Sequence, residues 1–346
     1  MTRERESCYI DVLIHWYKEF SMKEMRRILF TGPLIIIILV FFLFLYLKKK
    51  EDNSQKYYKI GLIVPFEHQA MNREVLGFQD AMKENFLSHE YKVTLKNAQG
   101  DNQILKSIVD SYIQSDFDVI APIGTQACLL TMNLVKDKTI LCLDVSQSLI
   151  PNQDNVTGVY EMDPRREVKI LKDLMPKLSE LVIFHSADDK VFRQVKDVTQ
   201  EALKFGITIN PVFINALTDL YILKGQIPKN SQAIFILKDH LIASGISSLV
   251  NIADEHEIPL ITSDNGSVED GALLGIGNKE EDIGREGANI LKDMFYAGKT
   301  PRNIKMRTVS KITLFLNKKK LDNFQDIANN IKAVLIKNPM ISKQDF

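Results

Sequence analysis

From Lys59 onward, short apolar runs rich in β-branched residues alternate with amphipathic stretches, and that alternation restricts the chain to α/β architectures with largely parallel sheets. The first unit shows the logic. Ile60, Leu62, Ile63 and Val64 make a compact run suited to a buried strand, and Glu67-His68-Gln69 breaks it. Val75, Leu76, Phe78, Ala81 and Met82 then recur at helical spacing, with Arg73, Glu74, Gln79 and Lys83 between them. In open α/β sheets ligands sit beyond the carboxyl ends of the strands, which makes Phe66, Glu67 and His68 candidate binding residues.

The pattern repeats. Residues 91–97, 117–124 and 139–146 read as strands, with helices around Ile104 to Tyr112 and from Thr125 to Val135. It restarts after a junction near 158–163, where Asp163-Pro164 supplies an N-cap followed by proline at the first helical position. A helix to Leu174, a strand at 180–186 and a helix from Val191 to Phe205 follow, the last closed by Gly206. Further strands are expected at 207–214, 232–238, 259–263, 272–277 and 311–317. Helices are expected at 216–224, 241–255, through Ile290 and Leu291, and from Leu321 to Ile336. A chain of 346 residues exceeds what one core usually organises. The expected fold is therefore α/β, with two doubly wound parallel-sheet lobes joined by a hinge. Lobe one takes residues 59–160 with part of 265–300, and lobe two takes 161–264 with part of 301–346.

One transmembrane helix is expected ahead of these lobes. Ile28 to Leu47 carries no charge, and sixteen of its twenty residues are Ile, Leu, Phe or Val. At a rise of 1.5 Å per residue such a helix spans about 30 Å, the thickness of a bilayer core. A cleaved signal peptide is the competing reading, but the run is long for one and Lys48-Lys49-Lys50 follows where small residues should precede cleavage. Residues 1–27 then form a short N-terminus and 48–58 a polar tether. Basic residues flank both ends, so charge alone does not orient the span.

Lysine plus arginine equals aspartate plus glutamate, 44 to 44, which offers no electrostatic case for a nucleic-acid partner. Cys8 precedes the apolar span, so only Cys128 and Cys142 could share an oxidising compartment, and their settings read as free, buried thiols. No metal site or cofactor is expected. Glu255-His256-Glu257 lacks the spacing of a zinc hydrolase, and Gly275-Ile276-Gly277 lacks the rest of a dinucleotide fingerprint. Neither a Walker loop nor a nucleophile elbow occurs, so no catalytic centre is read.

Several phrases resemble the bacterial ABC-transporter substrate-binding family whose best-known members take up tryptophan and related aromatic amino acids. Its EHPALD-like motif followed by GF is similar to residues Glu67 to Asn72 with Gly77-Phe78. Its NAQGD motif stands intact at Asn97 to Asp101. Its IATPAA-like, GNVTGV, TDN-like and GALA phrases are similar to Ile123 to Ala127, Asn155 to Val159, Lys238 to His240 and Gly271 to Leu274. The likeness covers residues 58–317. It departs where VTDP is replaced by Asp144-Val145-Ser146-Gln147, and the family's glutamate-asparagine-serine loop is not recognisable at His185 to Asp189.

The resemblance implies a type I periplasmic-binding-protein fold, closing on a small polar ligand with no cofactor. It implies an extracytoplasmic binding domain held at the inner membrane, with an ABC permease and its ATPase as partners. Thr125 and Gln126 open a helix after a strand, where free N–H groups suit a ligand carboxylate. Ser146 takes the place of a family threonine. Across the cleft, Asp239 is placed to meet a ligand ammonium, with Asp264, His185 and Ser186 at neighbouring strand ends. Each has a plainer reading, as a helix cap or a solvated loop residue. The rival function is a sensory or interaction ectodomain that works without transport.

Overall fold

The computed structural model describes residues 57–346, together with Phe41 and Leu43. The expected span at 28–47 (those two residues apart), the segment 1–27 and most of the tether lie outside the described residues. Among the described residues no helix is long and apolar enough to cross a membrane.

The first half of the chain runs β1 (Tyr58–Val64), α1 (Gln69–Asn85), β2 (Tyr91–Asn97), α2 (Asn102–Gln114), β3 (Val119–Pro122), α3 (Thr125–Leu134), β4 (Thr139–Val145) and β5 (Val156–Tyr160). The second runs α4 (Pro164–Leu174), β6 (Glu180–His185), α5 (Asp189–Leu203), β7 (Thr208–Phe213), α6 (Asp219–Leu223), β8 (Ala233–Ile236), α7 (His240–Ser244), α8 (Ile246–Glu255), β9 (Leu260–Thr262), α9 (Gly266–Glu269) and β10 (Leu274–Gly277). The chain closes with α10 (Glu280–Ala297), β11 (Arg307–Thr308), β12 (Ile312–Leu316), α11 (Lys318–Leu321), α12 (Gln325–Lys337) and β13 (Ile341–Asp345).

These strands form two sheets, ordered β11-β5-β4-β3-β1-β2 and β13-β12-β10-β9-β8-β6-β7. Every pairing is parallel except β10 with β12. Helices cover both faces of each sheet, which is why the strands read as continuous apolar runs. Ile60, Leu62, Ala121 and Leu141 pack on one face of the first sheet, and Ile63, Ile120, Ile140 and Cys142 on the other. Leu181, Ile183 and Phe235 do the same on one face of the second sheet, opposite Val182, Phe184 and Ile234. The fold is thus the two-lobed α/β architecture of periplasmic binding proteins.

Aspartates start several of the helices. Asp101, Asp163, Asp188 and Asp239 each accept from backbone N–H groups in the first turn of α2, α4, α5 and α7. The chain passes between the sheets three times, after β5, after β10 and after β11. The second passage returns α10 to the first lobe, where it lies hard against α1. A Cβ on Gly77 would meet the Glu281 carbonyl oxygen at 2.1 Å, and one on Gly284 would meet that of Glu74 at 2.0 Å. Only glycine permits this backbone-to-backbone approach.

Several sequence expectations are corrected. Cys128 and Cys142 are not free thiols but a disulfide, with Cα atoms 5.6 Å apart. The packing of α3 on β4 sets that distance, which lies in the range a disulfide can bridge. The helix expected over 241–255 is interrupted at Gly245, the C-cap of α7. Residues 156–160 form strand β5 before the crossing begins. The final helix starts at Gln325, later than expected, and is followed by β13, an edge strand with one buried residue, Ile341.

Candidate ligand-binding site

The lobes meet through the segments that follow β1 and β4 in the first lobe and β8 and β9 in the second, with the end of β3 between the first two and that of β6 beside β8 in the sheet order. Cross-lobe contacts define the meeting surface. Arg73 on α1 holds both carboxylate oxygens of Glu269 on α9 at 2.5 Å. The Phe66 ring stacks on His240 with centroids 3.8 Å apart. Lys238, just beyond β8, reaches Asp144 of β4 at 3.1 and 3.2 Å.

The residues expected from the sequence all lie at these strand ends, with varied partners. Glu67 accepts from the side-chain amides of Asn72 and Asn97, and His68 caps α1 by accepting from the N–H of Ala70. Gly124, at φ 84°, turns the chain into α3 without a side-chain cap. The first N–H groups of that helix, Thr125 and Gln126 among them, therefore have no partner within it. The buried Thr125 hydroxyl accepts from the N–H of Ser146 at 2.9 Å, which leaves its proton free to donate. Gln126 is exposed and reaches only Asn102, at 3.5 Å.

In the second lobe, His185 is buried between Phe192 and Phe213 and pairs with the Ser186 carbonyl. Asp239 accepts from the N–H groups of Ser186, Leu241 and Ile242. Asp264 accepts from the N–H and hydroxyl of Ser267. Asp264 is thus held within its own turn, and Asp239 by its own helix start together with Ser186, 53 residues away in sequence.

Sequence reasoning missed a buried charged cluster centred on Lys238. Its ammonium lies between Asp144 and, at 3.9 Å, Glu280, the first residue of α10. Burial alone would lower the Lys238 pKa, yet Asp144, Glu280, Glu74 and Glu161 together hold it well above the ordinary value. Burial pushes Glu280 up to about 8 and raises Glu74 and Glu167 well above the carboxylate range. Glu161, at the first crossing, binds Gln194 at 2.6 Å and Lys190 at 3.4 Å, while Glu167 accepts from the Ser263 hydroxyl at 2.5 Å. Burial also lowers the pKa of His240, with His68 across the cleft adding to the effect. A small cavity with polar walls at Glu161, Glu167, Gln194, Lys238 and Asn278 and apolar ones at Met162, Pro164 and Leu237 has room for about one water. Among the described residues no group of three or more His, Cys, Asp or Glu side chains could hold a metal.

Two lobes presenting polar strand ends to each other define a binding protein of the periplasmic type. Residues 59–337 match the family described as ABC transporter substrate binding protein, and the chain belongs to that family. It is similar to an uncharacterized protein of Rickettsia prowazekii (strain Madrid E), 35% identical over 266 residues that cover 75% of this chain and 83% of that one. It is similar also to the tyrosine-binding protein of Clostridioides difficile (strain R20291), 25% identical over 304 residues, covering 82% and 86%. An ABC domain from Streptococcus pneumonia, crystallised in complex with L-Trp, aligns with a TM-score of 0.71 at 20% identity, over 84% of this chain and 100% of that one. At that identity the likeness speaks for the fold. The resemblance read from the motifs is borne out at the level of the family.

Proposed function

We propose that this protein is the extracytoplasmic, membrane-tethered binding component of an ABC importer, and that its lobes close on an amino acid with an aromatic side chain. The observation that carries the reading is the pairing of strand-end loops across the cleft, with a free helix start on one lobe and stacked aromatic rings between the two. The ligand carboxylate would sit on the first turn of α3, taking its N–H groups and the Thr125 hydroxyl proton. Its ring would enter between Phe66 and His240, replacing their mutual stack. The ligands of the tyrosine-binding relative and of the tryptophan complex favour this class.

The apolar run 28–47 would anchor the chain beside a permease and its ATPase, raising the effective concentration of the loaded binder. The disulfide favours an oxidising compartment for the lobes. Melting curves of the full chain against the twenty amino acids test the ligand class. At one hundred times its dissociation constant a ligand stabilises by about 2.7 kcal/mol. Thr125→Val should weaken the best amino acid at least fivefold. No shift with any amino acid would falsify the assignment.

A further inference from the structure

Asp239, the acid that the sequence offers to a ligand ammonium, already holds three backbone N–H groups. Acceptors without a partner lie deeper between the lobes. Glu280 is 0% exposed and neither of its carboxylate oxygens is hydrogen-bonded among the described residues, while Glu74, 1% exposed, leaves Oε2 unpartnered. Glu280 faces the Lys238 ammonium at 3.9 Å, and Glu74 interacts with both Lys238 and Asp144. The unpartnered atoms beside them are of the same kind: Gln194 Oε1 and Asn278 Oδ1 are also acceptors. Their amides cannot be turned round. Asn278 Nδ2 donates to the carbonyls of Val309 and Lys311, and Gln194 Nε2 to Glu161, so a flip would set oxygen against oxygen.

A buried acceptor left unpaired costs about 1–3 kcal/mol, and a charged one more. Burial therefore holds protons on Glu280 and Glu74 before a ligand binds, and what complements the site once those protons leave is a cation with several N–H groups. Lys238 shows how such a group fits. Its flexible stem carries a compact ammonium with three donors from the second lobe into the carboxylates of the first.

We propose that Glu74, Asp144 and Glu280 form a subsite for a ligand ammonium, held by the tethered ammonium of Lys238 until a ligand displaces it. The proposal rests on the amino-acid reading above and names the groups that grip the amino end. Ligand and Lys238 compete for one set of carboxylates. A molecule with a carboxylate and a ring but no amino group cannot displace the lysine, so Lys238 acts as a specificity filter.

Isothermal titration of the full chain tests this with L-tyrosine, tyramine, 3-(4-hydroxyphenyl)propionate and putrescine. The proteins compared are wild type, Glu280→Gln, Glu74→Gln and Lys238→Met, each first shown to melt cooperatively. Tyrosine and tyramine should bind, and the compound without an amino group should bind at least tenfold more weakly. Glu280→Gln and Glu74→Gln should each weaken both amines at least tenfold, and Lys238→Met should tighten tyramine at least threefold. The subsite is overturned, with the amino-acid reading intact, if hydroxyphenylpropionate matches tyrosine or if both glutamine variants keep wild-type tyrosine affinity. Weaker tyramine binding by Lys238→Met overturns the competition. If no amino acid binds, that reading fails and putrescine decides. Binding that Glu280→Gln weakens tenfold upholds the subsite, and no putrescine binding overturns it.

Discussion

Reducing the Cys128–Cys142 bond should destabilise the protein by about 3 kcal/mol, because cross-linking residues 14 apart removes that much loop-closure entropy from the unfolded chain. Unfolding entropy is about 2.1 cal/mol/K per residue, so across residues 57–346 each kcal/mol moves Tm by about 1.6 °C and the drop should be roughly 5 °C. The effect should reach the ligand site. Cys128 lies one turn into α3, the helix start proposed above to hold the ligand carboxylate, and Cys142 lies two residues before Asp144 on β4. Melting curves with and without a phosphine reductant measure the loss. A Cys128→Ala, Cys142→Ala double variant should match the reduced wild type and ignore the reductant. Alkylation of the denatured, unreduced chain should label Cys8 alone among its 3 cysteines. Three labelled thiols, or equal melting points with and without reductant, refute the reasoning.

Two further results are expected. Gly284→Ala should cost at least about 2 kcal/mol by urea unfolding, since overpacking costs about 1–3 kcal/mol and here the added carbon meets backbone that cannot swing aside. A cost below about 0.5 kcal/mol would mean that α1 and α10 do not approach so closely. Stability should also fall as pH rises from 5 to 8. Glu280, with a pKa of about 8, and the raised Glu74 and Glu167 keep protons in the folded state that the unfolded chain releases near 4.5, so the folded form binds more protons across that window. Glu280→Gln should flatten the fall in Tm; a Tm that rises with pH, with the same slope in that variant, counts against the buried carboxyls.

The sheets were legible because their strands are buried on both faces and so announce themselves as apolar runs, as Ile60 to Val64 and Leu181 to Phe184 do. Elements with little buried surface were not. Only Ile341 of β13 is buried, and β11 comprises two residues with neither one buried. At the site, the sequence could place Phe66, Thr125 and Asp239 at strand ends, since that follows from the order of the elements. It could not show that Lys238 crosses to Asp144, 94 residues away, because that contact exists only once the lobes meet. Nor does the 14-residue spacing of Cys128 and Cys142 disclose a bond, which depends on how a helix rotates about its axis over the sheet.

The return of α10 to the first lobe has a consequence for the order of events at the ribosome. α1 is complete at Asn85, but the helix that seats against its glycine emerges roughly 200 residues later. At about 5–20 residues per second the gap is roughly 10–40 s, during which the Gly77 face of α1 has nothing to rest on. A nascent chain of this design stays incompletely built for most of its own synthesis, and a holdase or a secretion channel has that long to engage it.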